Sequence, residues 1–205
     1  MRVMDLSHPI SGGMPVWPGD PAAALERVSD VERDGFQVTR LTLGSHTGTH
    51  MDAPGHVLPG GATLDSLPPG TFVGTAAVTR GFPSLEELSA LEGVDFLLFS
   101  TGWEGEWGKP AYFSGYPVPP RGILERIVHM GLKGVGMDTP SPDVPDRLDH
   151  HRLLLGAGLV VVENLTGLAA LAGQMMPFCA LPPPFRGSDG GPVRALAFLD
   201  DQMEE

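Results

Sequence analysis

The sequence predicts a single α/β domain with a mixed β-sheet, and three observations support that class. Short apolar runs of strand length alternate with short segments of helical spacing, an interleaving typical of a sheet covered by helices. The length of 205 residues fits one domain with one sizeable core. The 28 glycines and 21 prolines make up nearly a quarter of the chain and predict many turns between short elements.

The N-terminal part is predicted to be mostly β-structure. A first strand over residues 2–7 leads into a Gly- and Pro-rich loop that carries Trp17. Residues 25–32 and 36–43 flank Asp34-Gly35, a dipeptide typical of hairpin turns, so we expect two antiparallel strands there. Trp17 either covers a pocket or plugs the core, and its loop alone favours neither role.

The rest of the chain continues the interleaved pattern. Ser84-Leu85-Glu86-Glu87 has the form of a capping box and predicts a short helix to about Leu91. Residues 102–121 form a long aromatic-rich loop, suited to a pocket wall, an oligomer interface or core packing. Further strands are predicted at 73–79, 94–100, 135–137, 159–162, 179–181 and 193–199, and further helical segments at 123–130, after 149–151 and at 165–172.

Composition excludes several classes of partner. The formal net charge of −12 argues against nucleic acid or an anionic membrane surface. Runs such as Leu159–Val162 are too short to span a bilayer. The single Cys179 cannot form an intrachain disulfide, and residues 1–10 lack the pattern of a secretory signal. We therefore expect a cytoplasmic protein that acts on a small molecule.

The densest group of chemically active side chains is His46, His50, Asp52 and His56. The stretch that holds them, Gly44–His56, contains no Cys, Lys or Arg. Neutral imidazole and ionised carboxylate are ligands for zinc, manganese and iron, so this composition indicates a divalent-metal site.

The spacing of these residues requires a bend in the chain. All four lie at even offsets, which would place them on one face of a strand. A straight strand would separate His46 from His50 by roughly 13 Å, too far to share one ion. We therefore expect the chain to bend at Gly48 and to form a folded metal loop after a strand that ends near Gly44.

The first group needs further ligands from elsewhere in the chain, because hydrolytic centres with two ions need more carboxylate. The candidates are Glu163, which ends an apolar strand, and either His150 or His151. His129 is expected on a solvated helix face, and His8 is not expected to be a ligand.

The run from His46 to His56 resembles the HxGTHxDxPxH signature of the metal-dependent cyclase family, which includes bacterial kynurenine formamidase (arylformamidase) and isatin hydrolase. The resemblance covers nearly the whole chain. Other segments in family order are Met14–Asp20 with its Trp-Pro-Gly-Asp, Asp138–Ser141, His151 and Glu163 twelve residues apart, and Asp189–Arg194.

This resemblance implies a fold and a set of site residues. The fold is a single domain over residues 1–205 of the swivelling β/β/α type, assembled as a homodimer or homotetramer. The site holds two divalent ions, zinc in the first place and manganese as the alternative. In the implied scheme His46, His50 and Asp52 hold one ion, His151 holds the other, Asp52 and Glu163 bridge them, His56 is the acid/base and Trp17 packs on the substrate. His151 is preferred to His150 because the family ligand precedes a Leu-rich run.

The implied activity is hydrolysis of a small aryl formamide, such as N-formylkynurenine of tryptophan breakdown, by metal-activated hydroxide. Another cyclic amide or lactone is the alternative substrate, as for isatin hydrolase. A different class is also compatible with the motif, since His50, Asp52 and His151 have the form of the HxD…H triad of non-haem iron oxygenases. Against that class, residues 161–166 carry no Arg or Lys to bind a 2-oxoacid. A non-catalytic metal-binding protein would leave His56 without a role.

Overall fold

The computed structural model describes residues 1–91 and 93–200, which contain eleven strands and four α-helices. The strands are β1 (Arg2–Asp5), β2 (Ala24–Ser29), β3 (Val38–Thr42), β4 (His50–Asp52), β5 (Val73–Arg80), β6 (Phe96–Ser100), β7 (Gly134–Met137), β8 (Val160–Glu163), β9 (Met175–Leu181), β10 (Gly190–Pro192) and β11 (Arg194–Leu199). The helices are α1 (Val31–Asp34), α2 (Leu85–Ser89), α3 (Arg121–Ile127) and α4 (Asp149–Gly156).

Nine of these strands form one mixed sheet in the order β1-β11-β9-β5-β6-β7-β8-β4-β10. The four central strands β5 to β8 run parallel, and the flanking strands are antiparallel to their neighbours. The remaining two, β2 and β3, pair only with each other in a separate antiparallel hairpin. The expected α/β domain with a mixed sheet is confirmed.

The central strands are buried on both faces, and alternate side chains enter two different cores. In β6, Leu97 and Phe99 pack on the side of α2, α3 and α4, while Phe96 and Leu98 pack on the other side. The continuous apolar run of β8 divides in the same way, with Val161 on the helical side. A strand that serves two cores has no polar face, which explains its unbroken hydrophobicity.

Most predicted elements are present with shifted ends. The capping box at Ser84 is formed, because its hydroxyl accepts the Glu87 N–H and the Glu87 carboxylate accepts the Ser84 N–H. The helix that it starts ends at Ser89, shorter than predicted. The segment predicted as a helix at 165–172 contains only a 3₁₀ turn, Leu168–Leu171, bounded by glycines with positive φ at 167 and 173.

The hairpin is present, but its predicted two-residue turn is wrong. Strand β2 ends at Ser29 because the Asp30 side chain accepts the Arg33 N–H and caps the single helical turn α1. Gly35 then ends that turn in the left-handed conformation, at φ 78°. Asp34-Gly35 is therefore a helix end inside a longer connection.

The predicted metal loop is partly a strand. The chain does bend at Gly48, whose φ is +66°, but residues 50–52 then continue as β4 within the main sheet. Strand β10 was not predicted, because Gly-Gly-Pro has little tendency to form a strand. No helix among residues 1–91 and 93–200 is long and apolar enough to cross a membrane.

Candidate metal centre

The sheet itself brings His50, Asp52 and Glu163 together. Strands β4 and β8 are antiparallel neighbours, and their register places His50 directly opposite Glu163. Met51 points into the core, so His50 and Asp52 on either side of it project from the opposite face. Glu163 lies at the carboxyl end of a parallel strand, the edge at which open α/β sheets bind their ligands.

The bend at Gly48 returns His46 to the same place. A side chain at Gly48 would lie 2.8 Å from Met14 Cε, so both the positive φ and the contact favour glycine. The His46 and His50 rings are then 5.0 Å apart between centroids. This is far closer than a straight strand would allow, and the predicted bend is confirmed.

Asp52 faces three histidines and Glu163 faces two. Asp52 Oδ1 lies 2.8 Å from His46 Nδ1 and 3.3 Å from His50 Nε2, while its Oδ2 lies 3.3 Å from His151 Nε2. Glu163 Oε2 lies 3.3 Å from His50 Nε2, and its Oε1 lies 3.1 Å from His151 Nε2. Asp52 and Glu163 are thus both shared within the cluster.

Of the two adjacent histidines on α4, only His151 joins the cluster. Asp143 accepts the backbone N–H groups of both residues and so caps the start of α4. Its Oδ2 also accepts from His151 Nδ1 at 2.8 Å, which turns His151 Nε2 inward. His150 instead donates from Nδ1 to the Pro142 carbonyl.

Every histidine of the cluster has its outer ring nitrogen on an oxygen. His46 Nε2 faces Asp189 Oδ2 at 2.9 Å, His50 Nδ1 faces the Gly48 carbonyl at 2.9 Å, and His151 Nδ1 faces Asp143. An acceptor oxygen selects the tautomer that is protonated on that side. The opposite nitrogen of each ring is then available to a ligand, which is the arrangement found around metal-binding histidines.

A buried amide supports the Gly48 bend from below. Asn164 Nδ2 donates to the Gly48 carbonyl at 2.8 Å, and Asn164 Oδ1 accepts from the buried Tyr112 hydroxyl at 2.8 Å. Asn164 itself is in the left-handed region, at φ 56°, directly after Glu163. This hydrogen-bonded network fixes the Gly48 carbonyl, which in turn contacts His50 Nδ1.

The electrostatics of the cluster favour positive charge. Burial opposes protonation of His50, but the Asp52 and Glu163 carboxylates outweigh it and raise its pKa to about 10. His151 is likewise buried, and Asp143, Asp52 and Glu163 raise its pKa well above the usual value. Burial opposes ionisation of Asp52, yet the neighbouring histidines hold its pKa well below the usual range.

The residues present fit a divalent cation. His50 Nε2 and Asp52 Oδ2 are buried and have no hydrogen-bond partner within the described chain. Each nevertheless lies 3.3 Å from another possible metal ligand, His50 Nε2 from Asp52 Oδ1 and Asp52 Oδ2 from His151 Nε2. Two groups of donor atoms each lie within 4.8 Å of one another, namely His46, Asp52 and His56, and His50, Asp52 and Glu163. Imidazole and carboxylate are the ligands of zinc and manganese. The ligand role of each residue stays a prediction.

His56 lies beside the cluster. It belongs to the 3₁₀ turn Pro54–His56, and its ring is 4.1 Å from that of His46 and 5.5 Å from that of His151. Its Nδ1 lies 3.4 Å from Asp189 Oδ2, the oxygen that also contacts His46. His8 and His129 do not join the site: His8 stacks on Trp107, and His129 is solvated, as expected.

A cavity of about 370 Å³ opens onto the histidines and carboxylates. Trp17, Trp107 and Phe113 line it, and Trp17 meets Phe113 edge to face at 5.7 Å. Trp17 is half-buried, and its contact with a substrate stays a prediction. Within the 102–121 loop Tyr112 and Tyr116 are buried, so this loop serves both the pocket and the core.

Sequence reasoning missed three supporting residues. Asp143 and Asn164 follow predicted turns and strands, and nothing in their spacing shows that they face histidines. Asp189 belongs to a segment of the family resemblance, but it received no role. The signal that was available is position: Asn164 directly follows Glu163, and Asp143 lies eight residues before His151 in the loop that leads to its helix.

Comparison with known proteins places the chain among its relatives. The family model described as "Putative cyclase" matches residues 4–144. Kynurenine formamidase of Salinibacter ruber is 34% identical over 211 residues, which cover 96% of this chain and 97% of that protein. Isatin hydrolase A of Ralstonia solanacearum superposes with a TM-score of 0.80 at 25% identity, covering 96% and 91% of the two chains. A potential metal-dependent hydrolase with cyclase activity gives a TM-score of 0.76 at 27% identity, covering 96% of each chain.

Proposed function

Because the chain belongs to the cyclase family, whose compared members include hydrolases, we propose that it is a metal-dependent amidohydrolase that cleaves a small aryl formamide such as N-formylkynurenine. One observation carries the proposal. Three histidines and two shared carboxylates converge at the base of an aromatic cavity, and an acceptor oxygen holds the outer nitrogen of each histidine.

The cluster offers ligands for two divalent ions, zinc or alternatively manganese. His46, His50 and Asp52 would hold one ion and His151 the other, with Asp52 and Glu163 shared between them. Both carboxylates face His151 and at least one histidine assigned to the first ion, which supports this division. When bound, such ions supply Lewis acidity that polarises a carbonyl and lowers the pKa of water.

The aromatic residues bind and orient the substrate. An aryl ring placed against Trp17 and Phe113 would find an apolar wall, and the cavity is large enough for one small aromatic molecule. Ring stacking at this end places the polar amide of the substrate over the histidines and carboxylates. The remote contact thus positions the bond to be broken.

His56 moves the proton. In the proposed reaction the oxygen of water adds to the formyl carbon and the carbon–nitrogen bond then breaks. His56 takes a proton from water and passes it to the departing nitrogen, giving formate and an aryl amine. Its Nδ1 faces Asp189, which leaves Nε2 for this transfer.

Hydrolysis of a cyclic amide or a lactone is the second candidate. It uses the same attack on a carbonyl, but the leaving group stays attached to the product. The similarity to isatin hydrolase A at 25% identity over nearly the whole chain supports it. The aromatic cavity accommodates either substrate, so the two candidates differ in specificity and share one mechanism.

The substrate is tested with metal-free, zinc-loaded and manganese-loaded protein, each offered N-formylkynurenine, formanilide, isatin and small lactones. We expect metal-dependent release of formate from the formamides, without oxygen consumption. If isatin is hydrolysed and the formamides are not, the substrate is a cyclic amide and not a formamide. Activity that needs iron and oxygen would contradict a hydrolase.

The site is tested with two variants. Asp52→Ala should lose both ions in metal analysis, since both groups of donors include that carboxylate. His56→Ala should keep both ions and lose about 10²–10⁴-fold in kcat. Two tightly held ions in Asp52→Ala would contradict the shared ligand, and metal loss in His56→Ala would make His56 a ligand.

A further inference from the structure

Asp189 occupies a fixed position over the candidate metal centre. Strand β10 pairs with β4 so that Gly190 lies opposite Asp52, and Asp189 directly precedes Gly190. The Ala53 N–H donates to the Asp189 carbonyl at 2.9 Å, which anchors this backbone to the chain after β4. The Asp189 side chain is 45% exposed, so it lies between the cluster and solvent.

One oxygen of Asp189 contacts two imidazole rings. Oδ2 lies 2.9 Å from His46 Nε2 and 3.4 Å from His56 Nδ1. A carboxylate only accepts hydrogen bonds, so both ring nitrogens must present N–H groups to it. Asp189 therefore directs His46 Nδ1 toward the cluster, where Asp52 Oδ1 lies 2.8 Å away, and turns His56 Nε2 away from Asp189.

Asp143 provides a natural comparison. It accepts a hydrogen bond from the ring of His151 at 2.8 Å and caps α4, but it does not hydrogen-bond His56. The two aspartates thus differ in the number of rings that they contact. Asp143 supports one ring of the ligand cluster, whereas Asp189 supports one ring of that cluster and the neighbouring acid/base ring.

We propose that Asp189 is a shared positioning residue that orients His46 as a metal ligand and His56 as the proton carrier. The His56 part rests on the proposed function, while the His46 part requires only a bound divalent ion. Carboxylates in this position typically strengthen metal binding by about 10–100-fold. Loss of the shared contact should therefore weaken metal binding and, separately, proton transfer.

The experiment compares four variants. Asp189→Ala removes the carboxylate, and Asp189→Asn keeps its shape and one acceptor oxygen. Asp143→Ala removes support from His151 alone. Asp65→Ala is the loop control, since Asp65 accepts the Gly187 N–H and holds the same loop without contacting a histidine. Thermal melting and circular dichroism establish that each variant folds, and Asp189→Asn serves if the alanine variant does not.

Two readouts need no substrate. Competition with a chromophoric chelator measures zinc affinity, and we expect a loss of about 10–100-fold in both Asp189→Ala and Asp143→Ala. NMR of the zinc protein detects the hydrogen-bonded Nδ1 proton of His56. That resonance should disappear in Asp189→Ala and persist in Asp143→Ala and Asp65→Ala. Asp189→Asn should fall between the wild type and Asp189→Ala in both measurements.

The third readout is kcat at saturating zinc on formanilide and on an activated formate ester. Asp143→Ala should recover kcat once zinc saturates it. Asp189→Ala should remain at least about tenfold slow on the amide and suffer less on the ester, whose leaving group needs less protonation. Unchanged zinc affinity or a retained His56 resonance in Asp189→Ala would overturn the shared role, as would full recovery of kcat. If no formamide is hydrolysed at all, the proposed function fails, while the zinc and NMR readouts still test Asp189.

Discussion

Trp17 shows how a single side chain can be assigned from its surroundings. It is half-buried in the cavity wall and meets Phe113 and Tyr116 edge to face, at 5.7 and 6.5 Å. Trp17→Ala should therefore raise KM for an aryl substrate by about tenfold, since an aromatic pair contributes roughly 0.5–1.5 kcal/mol. The free energy of unfolding should fall by about 1 kcal/mol, well short of the 3–5 kcal/mol of an emptied core site.

Trp103 is the matched control for this prediction. It lies in the same 102–121 loop as Trp107 and Phe113, donates from Nε1 to the Tyr112 carbonyl at 2.9 Å and does not line the cavity. Trp103→Ala should lower stability and leave KM unchanged. Kinetics and urea unfolding of both variants check the contrast, and a large stability loss in Trp17→Ala with normal KM would assign Trp17 to packing.

His8 gives the fold a dependence on acid. Its ring stacks on Trp107 at 4.0 Å, and its buried Nε2 has no partner in the described chain. Burial lowers its pKa to about 4, although Glu104 acts in the opposite direction. The unfolded chain thus binds this proton more tightly. The free energy of unfolding that depends on neutral His8 is therefore fully present above about pH 6.5 and is lost as the pH falls from 6.5 towards 4.

His8→Phe keeps a flat ring on Trp107 and removes the titration. Between about pH 7.5 and about pH 5 the wild type should lose stability relative to this variant, by on the order of 1 kcal/mol, since partial solvent access reduces the full effect. Urea midpoints of both proteins at the two pH values measure this. An equal loss in the two proteins would assign the acid sensitivity to other groups.

The residues of the first motif were predictable because they are local. His46, His50, Asp52 and His56 lie within one short segment, and their even spacing with Gly48 between them requires a bend. Glu163 was a candidate from its place at the end of an apolar strand, whereas the choice of His151 over His150 came from the family resemblance. The carboxylates that hold the rings were not predictable, since only the folded sheet brings Asp189 to His46 across 143 positions of sequence.

At the scale of elements, buried strands were predicted well and short strands were not. The strand β8 is recognisable because four consecutive apolar or β-branched residues serve two cores. By contrast, β4 and β10 have three residues each, His-Met-Asp and Gly-Gly-Pro. Their strand structure comes from pairing with neighbours, a tertiary effect that local sequence does not contain.

The close packing of β10 on β4 gives an element-scale prediction. A methyl group at Gly190 would lie 2.7 Å from His46 Cε1 and 3.0 Å from the Met51 carbonyl. Gly190→Ala should therefore push the His46 ring aside and weaken zinc binding by about tenfold or more, with roughly 1–3 kcal/mol of lost stability. Chelator competition and urea unfolding measure the two effects.

Gly191→Ala is the control in the same strand. Its methyl group would meet Leu64 Cδ1 at 3.1 Å and no histidine. We expect a comparable packing cost with normal zinc affinity. If both variants bind zinc with wild-type affinity, the position of the His46 ring does not depend on a glycine at 190.

At the scale of the whole molecule, the β2–β3 hairpin is unusual in its exposure. Every residue of β3 is exposed, and the two strands join no other strand in the described part of the chain. Large apolar side chains on it face solvent, with Phe36 at 57% and Leu41 at 60% exposure. A two-stranded hairpin is marginally stable alone in water, so this surface needs cover.

The origin of the expected self-association also changes with the structure. The aromatic 102–121 loop was the sequence-based reason, but Tyr112 and Tyr116 are buried within the chain and leave no large aromatic surface there. The hairpin takes its place. A net charge of −12 would oppose close approach of two copies, so exposed apolar side chains such as Phe36 and Leu41 would have to drive the contact.

We propose that the hairpin of a second copy covers this surface, in a homodimer or homotetramer. Replacing Phe36 and Leu41 together by Glu should place charge in the apolar contact and convert the assembly to monomers, with the zinc site retained. The control replaces Val73 and Met175, which are 40% and 52% exposed on the main sheet, by Glu. Light scattering at micromolar concentration measures the mass of each protein, and zinc analysis reports the integrity of the site. A wild-type protein that is a stable monomer contradicts the assembly. An oligomer that survives the hairpin substitutions but dissociates in the control would instead move the interface to the main sheet.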